Sequence, residues 1–379
     1  MTNLHKMFDL GQSVWCDSIS RAMLTGGPMK KMIDDGVVGV TSNPTIFMNA
    51  ITKGHDYDEQ FADVANGDRS PRKIFELLAL EDIRRAADLF RPVFDRTKGL
   101  DGYISYEVDP HLAYNTRETL SEAKRLFKEI GKPNVLIKIP ATDEGLPAIE
   151  GALAEGVNIN ITLIFSPKVH EQVMTAYIKG LEKFAAAGGD VSRVASVASF
   201  FVSRVDTLAD EHLKRTGKKV DHLLGKSANA NAKIAYARFK QIFHGAPGDQ
   251  PVPDNLTERF KKLAAEGARV QRPLWASTST KNKDYHELLY VDNLIGPETV
   301  NTMPIPTIEG TIARGKVALT LEQDLPGAKN IMKELAAVGV DFDEVTEQLR
   351  SDGVELFAKS FDDLMANIVQ KQKELATVG

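Results

Sequence analysis

Residues 135–141 read VLIKIPA, a run of β-branched and aliphatic residues that is typical of a buried strand and contains one charge. Successive side chains of a strand point to opposite faces. Val135, Ile137 and Ile139 therefore share one face, and Lys138 points to the other. Because a Pro-Ala pair ends the run, the lysine lies near the carboxyl end of the predicted strand.

Seven further strand-like runs alternate with helical patterns along the chain. They cover residues 14–20, 37–43, 103–109, 157–165, 194–201, 270–277 and 299–304. Strands that alternate with helices favour a parallel sheet, and eight of them predict a closed (β/α)8 TIM barrel of the α/β class. An open doubly wound sheet is the alternative. No Gly-x-Gly-x-x-Gly follows the early strands, so the sequence lacks the motif of a doubly wound sheet that binds a dinucleotide.

The barrel is expected to carry additional helices. Residues 206–269 are too long for one crossover helix, and they contain both a helical pattern and a loop rich in Pro and Gly. We interpret this region as a helical insertion attached to the barrel. A stripe of apolar residues predicts a last helix over about 354–376. The sequence therefore favours a single barrel domain over residues 1–379.

The composition of the chain is that of an ordinary globular protein. It has 379 residues, of which 42% are hydrophobic and 26% are charged, and its net charge is −5. This charge gives no reason to expect nucleic acid or a membrane as a partner. The lone cysteine excludes an intramolecular disulfide, and no signal peptide or membrane-spanning run is evident. We expect a cytoplasmic protein and leave open whether it is a monomer or a homodimer.

Polar residues recur on one face of neighbouring predicted strands. Glu107 in the third strand has the same parity as Lys138 in the fourth, and Asn160 and Thr162 share a face of the fifth. Parallel strands are usually apolar on both faces, so this pattern favours a polar barrel lumen. The alternative for the lysine is an exposed sheet edge, where its stem packs and its ammonium stays in water.

A lysine inside the lumen has a direct chemical use. Burial lowers the pKa of an amine, and a neutral amine attacks a ketone to form an imine. The protonated imine then stabilises the enamine left by C–C cleavage, which is class I aldolase chemistry and needs neither a metal nor another cofactor. Asp17 and Glu107 are candidates for the proton transfers. None of the eight histidines lies in a His-x-His or His-Glu-x-x-His pair, so no metal site is predicted.

Short motifs along the chain resemble those of transaldolases, in the family order. They are WCD at 15–17 (Trp-Leu-Asp in the family), GVTSNP at 39–44, VLIKIPAT at 135–142 and NITLIF at 160–165. Two further stretches, WAST at 275–278 and VNTMP at 300–304, look most like the longer bacterial-type subfamily. The resemblance places the chain among the class I Schiff-base aldolases.

The resemblance implies a transferase of the non-oxidative pentose phosphate pathway. It would move a dihydroxyacetone unit from sedoheptulose 7-phosphate or fructose 6-phosphate to glyceraldehyde 3-phosphate or erythrose 4-phosphate. Lys138 would form the Schiff base, and Asp17 would act as acid and base during C–C cleavage and formation. Glu107, with Thr162 and a water, would move protons during imine formation and hydrolysis.

The resemblance also implies a set of substrate-binding residues. Asn43 and Asn160 would hold the hydroxyls and carbonyl of the bound ketol fragment. Ser199 and Phe201 would shape the site, and Arg204 would bind the acceptor's phosphate. Two of the five have simpler alternatives, since Asn43 could be a turn residue and Arg204 could pair with Asp206 at the surface.

The sequence departs from the family after the seventh strand. Many transaldolases have Ser-Phe-Arg-Asn there, where residues 279–282 of this chain read STKN. Lys281 would replace a phosphate-binding arginine as a point charge rather than a bidentate fork. A solvated loop lysine is the alternative. Asp17, which precedes two serines, could likewise cap a helix.

Two other functions stay open at the level of the sequence. One is an aldolase similar to fructose-6-phosphate aldolase, which releases the three-carbon ketone to water. The other is a non-catalytic sugar-phosphate binder on the same barrel, because a fold does not fix a function.

Overall fold

Eight parallel strands form the centre of the fold in this computed structural model, which describes residues 1–53, 56–65 and 70–378. Each strand pairs with the next one along the chain, and the last pairs with the first, so the sheet is a closed barrel. The strands are β1 Gln12–Cys16, β2 Val37–Thr41, β3 Ile104–Glu107, β4 Val135–Pro140, β5 Ile159–Ile164, β6 Ser196–Phe201, β7 Arg272–Ala276 and β8 Thr299–Met303.

Helices surround the barrel and connect its strands. Within the described ranges they are α1 Asn3–Asp9, α2 Arg21–Thr25, α3 Pro28–Asp35, α4 Pro44–Lys53, α5 Asp58–Ala65, α6 Pro71–Arg96, α7 Thr116–Ile130, α8 Gly145–Leu153, α9 Pro167–Ala186, α10 Ser203–Arg215, α11 Ser227–His244, α12 Leu256–Ala265, α13 Leu289–Asp292, α14 Ile305–Arg314, α15 Leu325–Val338 and α16 Phe342–Val378. In this part of the chain, no helix has the length and apolarity needed to cross a bilayer.

The predicted (β/α)8 barrel is confirmed, and each of its strands lies at or next to a predicted run. The predicted bounds of the first strand were wrong, because β1 ends at Cys16 whereas the predicted strand ran over 14–20. The Ser-Ile-Ser segment after Asp17 looks like strand but leads into α2. The side chain of Ser20 caps that helix by accepting a hydrogen bond of 3.3 Å from the N–H of Met23.

Three helices, α10 to α12, follow β6 before the chain returns to the barrel as β7. They lie in and around residues 206–269, where the sequence is too long for a single crossover helix. The longest of them, α11, packs against α9 on the barrel's outer layer and against α15 beyond it. These helices therefore extend the outer layer and supply no strand to the sheet.

Buried polar side chains close the amino end of the barrel. Arg272 at the start of β7 donates to Ser13 Oγ at 2.8 Å and lies 3.1 Å from Asp101 Oδ1. Asp101 also accepts from Ser13 Oγ at 2.7 Å and from Trp15 Nε1 at 3.0 Å. Because the ion pair is buried with several hydrogen bonds, its charges are compensated within the lumen. The cluster ties β1, β7 and the segment before β3 together inside the barrel.

The last helix, α16, lies over the opposite end. It packs against α4, α6, α10 and the end of β5. The carboxyl ends of the strands are where TIM barrels place their active sites. Part of α16 therefore lies beside the place where an active site is expected.

Candidate active site

Lys138 lies inside the barrel near the carboxyl end of β4, where the residue is only 6% exposed. Its Nζ donates to the carbonyl oxygen of Ser42 at 2.9 Å and lies 3.3 Å from Glu107 Oε2. In the sheet, Lys138 is in register with Glu107 on β3 and with Asn160 on β5. Strand alternation thus turns the amine and its polar neighbours to the same interior face.

Glu107 is the carboxyl group nearest to the amine, and it is almost fully buried. Burial raises the pKa of Glu107, since the charged form loses its hydration, and Lys138 acts in the opposite direction. The charge of Asp17 adds to the rise. Glu107 can therefore accept or release a proton at a higher pH than a solvated carboxyl group does.

Asp17 follows the end of β1 and faces the same interior space. Its backbone N–H donates to Met303 O at 2.8 Å, which continues the ladder between β1 and β8 past the last strand residue. Its carboxylate accepts a hydrogen bond of 2.8 Å from Thr41 Oγ1. That hydroxyl is also 2.6 Å from Thr302 Oγ1. Neighbouring strands therefore fix the position of the Asp17 carboxylate, and the expected helix-capping role is taken by Ser20 instead.

A cavity of about 220 Å³ opens at the carboxyl end of the strands. Of the residues predicted for the site, those that line it are Asp17, Asn43, Lys138, Thr162, Ser199, Phe201, Arg204 and Lys281. Glu107 and Asn160 lie immediately behind this lining, hydrogen-bonded to Lys138 and Ser199. A larger cavity, of about 590 Å³, opens at the amino end, and none of the predicted site residues lines it. The chemistry of the site favours the smaller cavity.

A chain of hydrogen bonds orients the polar side chains of β5 and β6. Ser199 Oγ donates to Asn160 Oδ1 at 2.6 Å, and Asn160 Nδ2 donates to Ser105 Oγ at 3.0 Å. Thr162 differs, because its hydroxyl is buried and has no hydrogen-bond partner among the described residues. Buried hydroxyls without partners are uncommon and mark places where a ligand or water is expected. Thr162 Oγ1 is therefore available to a molecule in the cavity.

The strand β5 leaves regular geometry directly after Thr162. Leu163 has a φ of 60°, in the left-handed region that non-glycine residues rarely adopt. The pairing between β5 and β6 shifts register between Ile161 and Ile164. Such irregularities cluster at functional sites, where they redirect a side chain at a strand end.

Asn43 makes a local turn contact and also lies at the cavity. Its Oδ1 accepts a hydrogen bond of 3.0 Å from the N–H of Ile46, so it caps α4 as a turn residue would. It also lines the cavity. Its NH₂ group has no partner among the described residues, which leaves a donor for a ligand oxygen.

Two cations lie at the outer side of the cavity. The guanidinium of Arg204 is 5.5 Å from the ring centre of Phe201, and Lys281 Nζ donates to Ser279 Oγ at 2.8 Å. Partial burial and the nearby Arg204 lower the pKa of Lys281. Neither cation forms an ion pair with a carboxylate in the described ranges. Two unpaired positive charges at one rim are suited to an anionic group such as a phosphate.

The surface pair expected as the alternative for Arg204 does not form. Asp206 is buried and accepts hydrogen bonds from the N–H of Ala228 at 2.7 Å and from Tyr290 OH at 2.8 Å. One turn later, Asp210 accepts from Tyr285 OH at 2.6 Å. These contacts tie α10, which carries Arg204, to the segment after β7 that carries the second cation.

The site offers an amine and carboxyl groups. Over the described residues, no three side chains of His, Cys, Asp or Glu are grouped so as to hold a metal ion. Cys16 is fully buried, and burial raises the pKa of its thiol to about 12. A thiol of that pKa is no nucleophile at neutral pH, because the thiolate is the reactive form. The arrangement therefore presents a buried amine, that of Lys138, beside a carboxyl group.

Residues 14–368 match the sequence profile of the Transaldolase/Fructose-6-phosphate aldolase family. The chain belongs to this family. It is 43% identical over 388 residues to a protein named Transaldolase from Trichodesmium erythraeum (strain IMS101), covering 99% of both chains. Similar relatives named Transaldolase come from Mycolicibacterium paratuberculosis, with 43% identity over 99% of this chain and 98% of theirs, and Saccharopolyspora erythraea, with 44% identity over 97% of each.

The transaldolase-like motifs all meet at one end of this family member's barrel. The WCD motif ends β1, the GVTSNP motif joins β2 to α4, and the other two motifs contain β4 and most of β5. Their polar residues line or adjoin the cavity that holds Lys138. Motifs that are separated along the chain are thus parts of a single site.

Some lining residues were missed by the sequence reasoning. Thr41 donates to Asp17 and contacts Thr302, and the two threonines lie near the carboxyl ends of β2 and β8, so their strand positions are a signal that could have found them. Phe357 is different. It reaches the cavity from α16, and its ring centre is 5.9 Å from Lys138 Nζ. In the sequence it is one of several apolar residues on a helix face, and nothing distinguishes it from core.

Proposed function

We propose that this protein is a transaldolase that transfers a dihydroxyacetone unit through a Schiff base on Lys138. The donor would be sedoheptulose 7-phosphate or fructose 6-phosphate, and the acceptor glyceraldehyde 3-phosphate or erythrose 4-phosphate, as in the non-oxidative pentose phosphate pathway. The observation that carries the proposal is the buried amine of Lys138, 3.3 Å from Glu107, in a cavity with Asp17 and two unpaired cations. Membership of the family and relatives named Transaldolase support it.

The reaction begins when Lys138 Nζ attacks the C2 carbonyl of the ketose phosphate. The nitrogen loses a proton as the carbinolamine forms, and the C2 hydroxyl gains one as it leaves as water. Glu107 is placed to carry these protons, since its carboxyl adjoins the amine and burial raises its pKa. Thr162 assists by binding a water or the departing hydroxyl with its unpaired Oγ1. The product of this stage is an iminium ion.

Cleavage then takes place between C3 and C4. Asp17 removes the proton of the C4 hydroxyl, the C3–C4 electron pair moves into the iminium to give an enamine, and an aldose phosphate leaves. The same steps run in reverse when a second aldose phosphate binds. Asp17 returns the proton, and hydrolysis of the new imine releases the ketose phosphate and restores Lys138. The hydrogen bond from Thr41 keeps the Asp17 carboxylate in position for both directions.

The remaining side chains bind and orient the sugar. Arg204 and Lys281 hold the phosphate at the rim, where each lacks a carboxylate partner among the described residues. Asn43 and Asn160 hold hydroxyl groups of the three-carbon unit. Ser199 keeps Asn160 oriented through its 2.6 Å hydrogen bond and, with Phe201, shapes the wall. Such positioning supplies much of the rate enhancement of a reaction between two bound partners.

A second candidate is a fructose-6-phosphate aldolase activity, in which water rather than an aldose phosphate takes the enamine. The family name includes both activities. The two are separated by an assay that follows transfer to erythrose 4-phosphate and release of free dihydroxyacetone in the same sample. A non-catalytic sugar-phosphate binder is a third reading, and the juxtaposition of Lys138 with Glu107 speaks against it.

Reduction of the trapped intermediate tests the proposal. The protein is incubated with fructose 6-phosphate and borohydride, digested and analysed by mass spectrometry. We expect a reduced three-carbon or six-carbon adduct on the peptide that contains Lys138, and no adduct in the Lys138→Ala variant. An adduct on another lysine, or undiminished transfer by the variant, contradicts the assignment. A protein that binds the sugar but gives no adduct is a binder.

We also propose that residues 1–379 act as one barrel domain, with the helices of 206–269 as an attached insertion. The reducing cytoplasm is the proposed location, because the only cysteine is buried and can form no intramolecular disulfide. Sugar phosphates are the proposed partners. The protein would act as a monomer or homodimer, which sedimentation analysis distinguishes.

A further inference from the structure

Phe357 covers the amine of Lys138 from the side of α16. Its ring centre lies 5.9 Å from Lys138 Nζ, within the range of a cation–π contact. The ring lines the cavity and is only 7% exposed. An apolar ring in this place occupies space through which water would otherwise reach the nitrogen and the carbon bound to it.

Contacts on both sides of Phe357 hold α16 across the strand ends. Arg350 Nη1 donates to Ala141 O at 3.1 Å, directly after the strand that carries Lys138. Beyond Phe357, Ser360 accepts from Thr45 at the start of α4 at 2.9 Å. Asp362 lies 3.1 Å from His111 Nε2. The cover is therefore fixed to the loops after β2, β3 and β4.

Gly353 of α16 packs against the end of β5. A Cβ at this position would lie 2.8 Å from Leu163 Cδ2, so the end of the leucine side chain would have to shift to accommodate it. Leu163 is the positive-φ residue that follows Thr162 in β5. Gly353 and Phe357 are four residues apart, so they lie on the same face of the helix. This face of α16 is the one that packs on the end of β5 and brings the phenylalanine beside the lysine.

We propose that Phe357 is a specificity-determining residue, which shields the enamine on Lys138 from water so that the three-carbon unit is transferred and not released. This inference rests on the proposed transaldolase function. In the competing reaction, water or its hydronium gives a proton to C3 of the enamine and forms an iminium ion. A second water then adds to C2, the C2–N bond breaks, and free dihydroxyacetone leaves with the amine restored. Addition of water at C2 also ends the productive cycle, so the step that separates release from transfer is the first, and the ring beside Lys138 would limit the access of water to the enamine at that step.

The effect depends on an apolar cover and less on the aromatic character of the ring. Excluding water from an active site suppresses hydrolysis of reactive intermediates. A leucine at position 357 keeps an apolar side chain over the amine, whereas an alanine opens the space. The shielding is therefore expected to survive Phe357→Leu and to fail in Phe357→Ala.

The test measures how the enamine partitions. Each variant is given fructose 6-phosphate and erythrose 4-phosphate, and free dihydroxyacetone and sedoheptulose 7-phosphate are quantified together. We expect Phe357→Ala to raise the ratio of release to transfer about tenfold or more, and Phe357→Leu to change it less than about threefold. Borohydride should still label Lys138 in both variants, because the amine and its carboxyl partner are unchanged.

A matched control is available on the same helix. Leu364 is fully buried in α16 but does not line the cavity. Leu364→Ala removes a buried side chain from the helix. The ratio of release to transfer in this variant is expected to stay near that of the wild type. A ratio in Phe357→Ala within twofold of the wild type, or an equal rise in Leu364→Ala, overturns the shielding role.

A second variant keeps the proposal testable if Phe357→Ala does not fold. Phe357→Val keeps an apolar side chain that is much smaller than the ring, so it fills only part of the space over the amine. We expect the ratio of release to transfer to rise in this variant too, and an unchanged ratio contradicts the proposal. Failure of the transaldolase function itself would appear differently, as a wild-type protein with neither transfer nor an adduct on Lys138.

Discussion

Glu107 and Lys138 occupy paired positions on adjacent strands, and their side chains meet inside the barrel with Oε2 and Nζ 3.3 Å apart. Both groups are withdrawn from water, so a charged pair carries a large desolvation cost. Passing one proton from the ammonium to the carboxylate removes both charges at once. The pairing therefore places a group that can take a proton directly beside the amine. This relationship is the basis of the first prediction.

Replacing Glu107 by glutamine should slow imine formation while leaving sugar binding intact. The amide keeps the shape of the side chain but neither accepts nor releases a proton, and loss of a general acid–base group costs about 100- to 10,000-fold in rate. The rate of borohydride-trapped adduct formation measures this step, and the Kd for fructose 6-phosphate is the control. An equal loss of binding would indicate a structural role instead.

The pH profile gives Glu107 an independent signature. Burial raises its pKa, and the ionised form is the one that accepts a proton from the attacking amine. In the wild type, adduct formation should therefore decline as the pH falls through this raised pKa, at a higher pH than a solvated carboxyl group would give. This decline at low pH should be absent from the Glu107→Gln profile. If both proteins show the same decline, the decline reports the titration of another group.

Replacing Asp17 by asparagine should separate imine formation from C–C cleavage. Asp17 acts on the C4 hydroxyl and not on the amine, so the adduct on Lys138 should still form. Transfer to erythrose 4-phosphate should fall by about 100- to 10,000-fold. Mass spectrometry should then find a six-carbon adduct, because the bound ketose is not cleaved. A three-carbon adduct in this variant would remove Asp17 from the cleavage step.

Replacing Lys281 by alanine should weaken binding of phosphorylated sugars with little change in kcat. A charge-assisted contact to phosphate contributes about 1.5–3 kcal/mol, so KM should rise about 10- to 100-fold. Lys281→Arg, which restores the charge, is the matched control and should remain near the wild type. If the KM values of both variants equal that of the wild type, Lys281 is a solvated loop residue and Arg204 binds the phosphate alone.

Asp206 should make the stability of the protein depend on pH. Burial raises its pKa to about 7, so the folded state binds this proton at a pH where the unfolded chain has released it. Protonated Asp206 contributes to the free energy of unfolding below about pH 4. This contribution is lost as the pH rises towards 7, and the loss is at most about 4 kcal/mol. Relative to Asp206→Asn, the wild type should lose thermal stability over this interval. Parallel curves for the two proteins would contradict the prediction.

The sequence was informative wherever strand alternation decides the direction of a side chain. Lys138, Glu107, Asn160 and Thr162 were chosen because residues of one parity share a face, and the closed barrel turns that face inward. Alternation predicts the direction of a side chain only within a strand, and Asp109 lies beyond the end of one. It shares the parity of Glu107, yet the chain turns after β3, and Asp109 pairs with Arg72 at 2.6 Å outside the cavity. Parity holds only as far as the strand continues.

The parts that the sequence could not supply depend on contacts between distant segments. Phe357 has the helical spacing of a core residue, and only the path of α16 across the strand ends brings it to Lys138. The first strand boundary failed for a local reason, because Ser18 to Ser20 have a strand-like alternation but end in a helix cap. Lys281 lies in a loop where alternation gives no direction, and the resemblance indicates it only as a replacement for the arginine of the family motif.

The register between β3 and β4 has a consequence for how this barrel can vary. A slip of one residue between these strands would turn Glu107 away from Lys138 and, at the same time, expose an apolar row to the lumen. A slip that would separate the two side chains would thus also lose the apolar packing between the strands and the outer helices. The same strand pairing therefore determines both the packing of the barrel and the position of Glu107 beside Lys138, so a change in one changes the other.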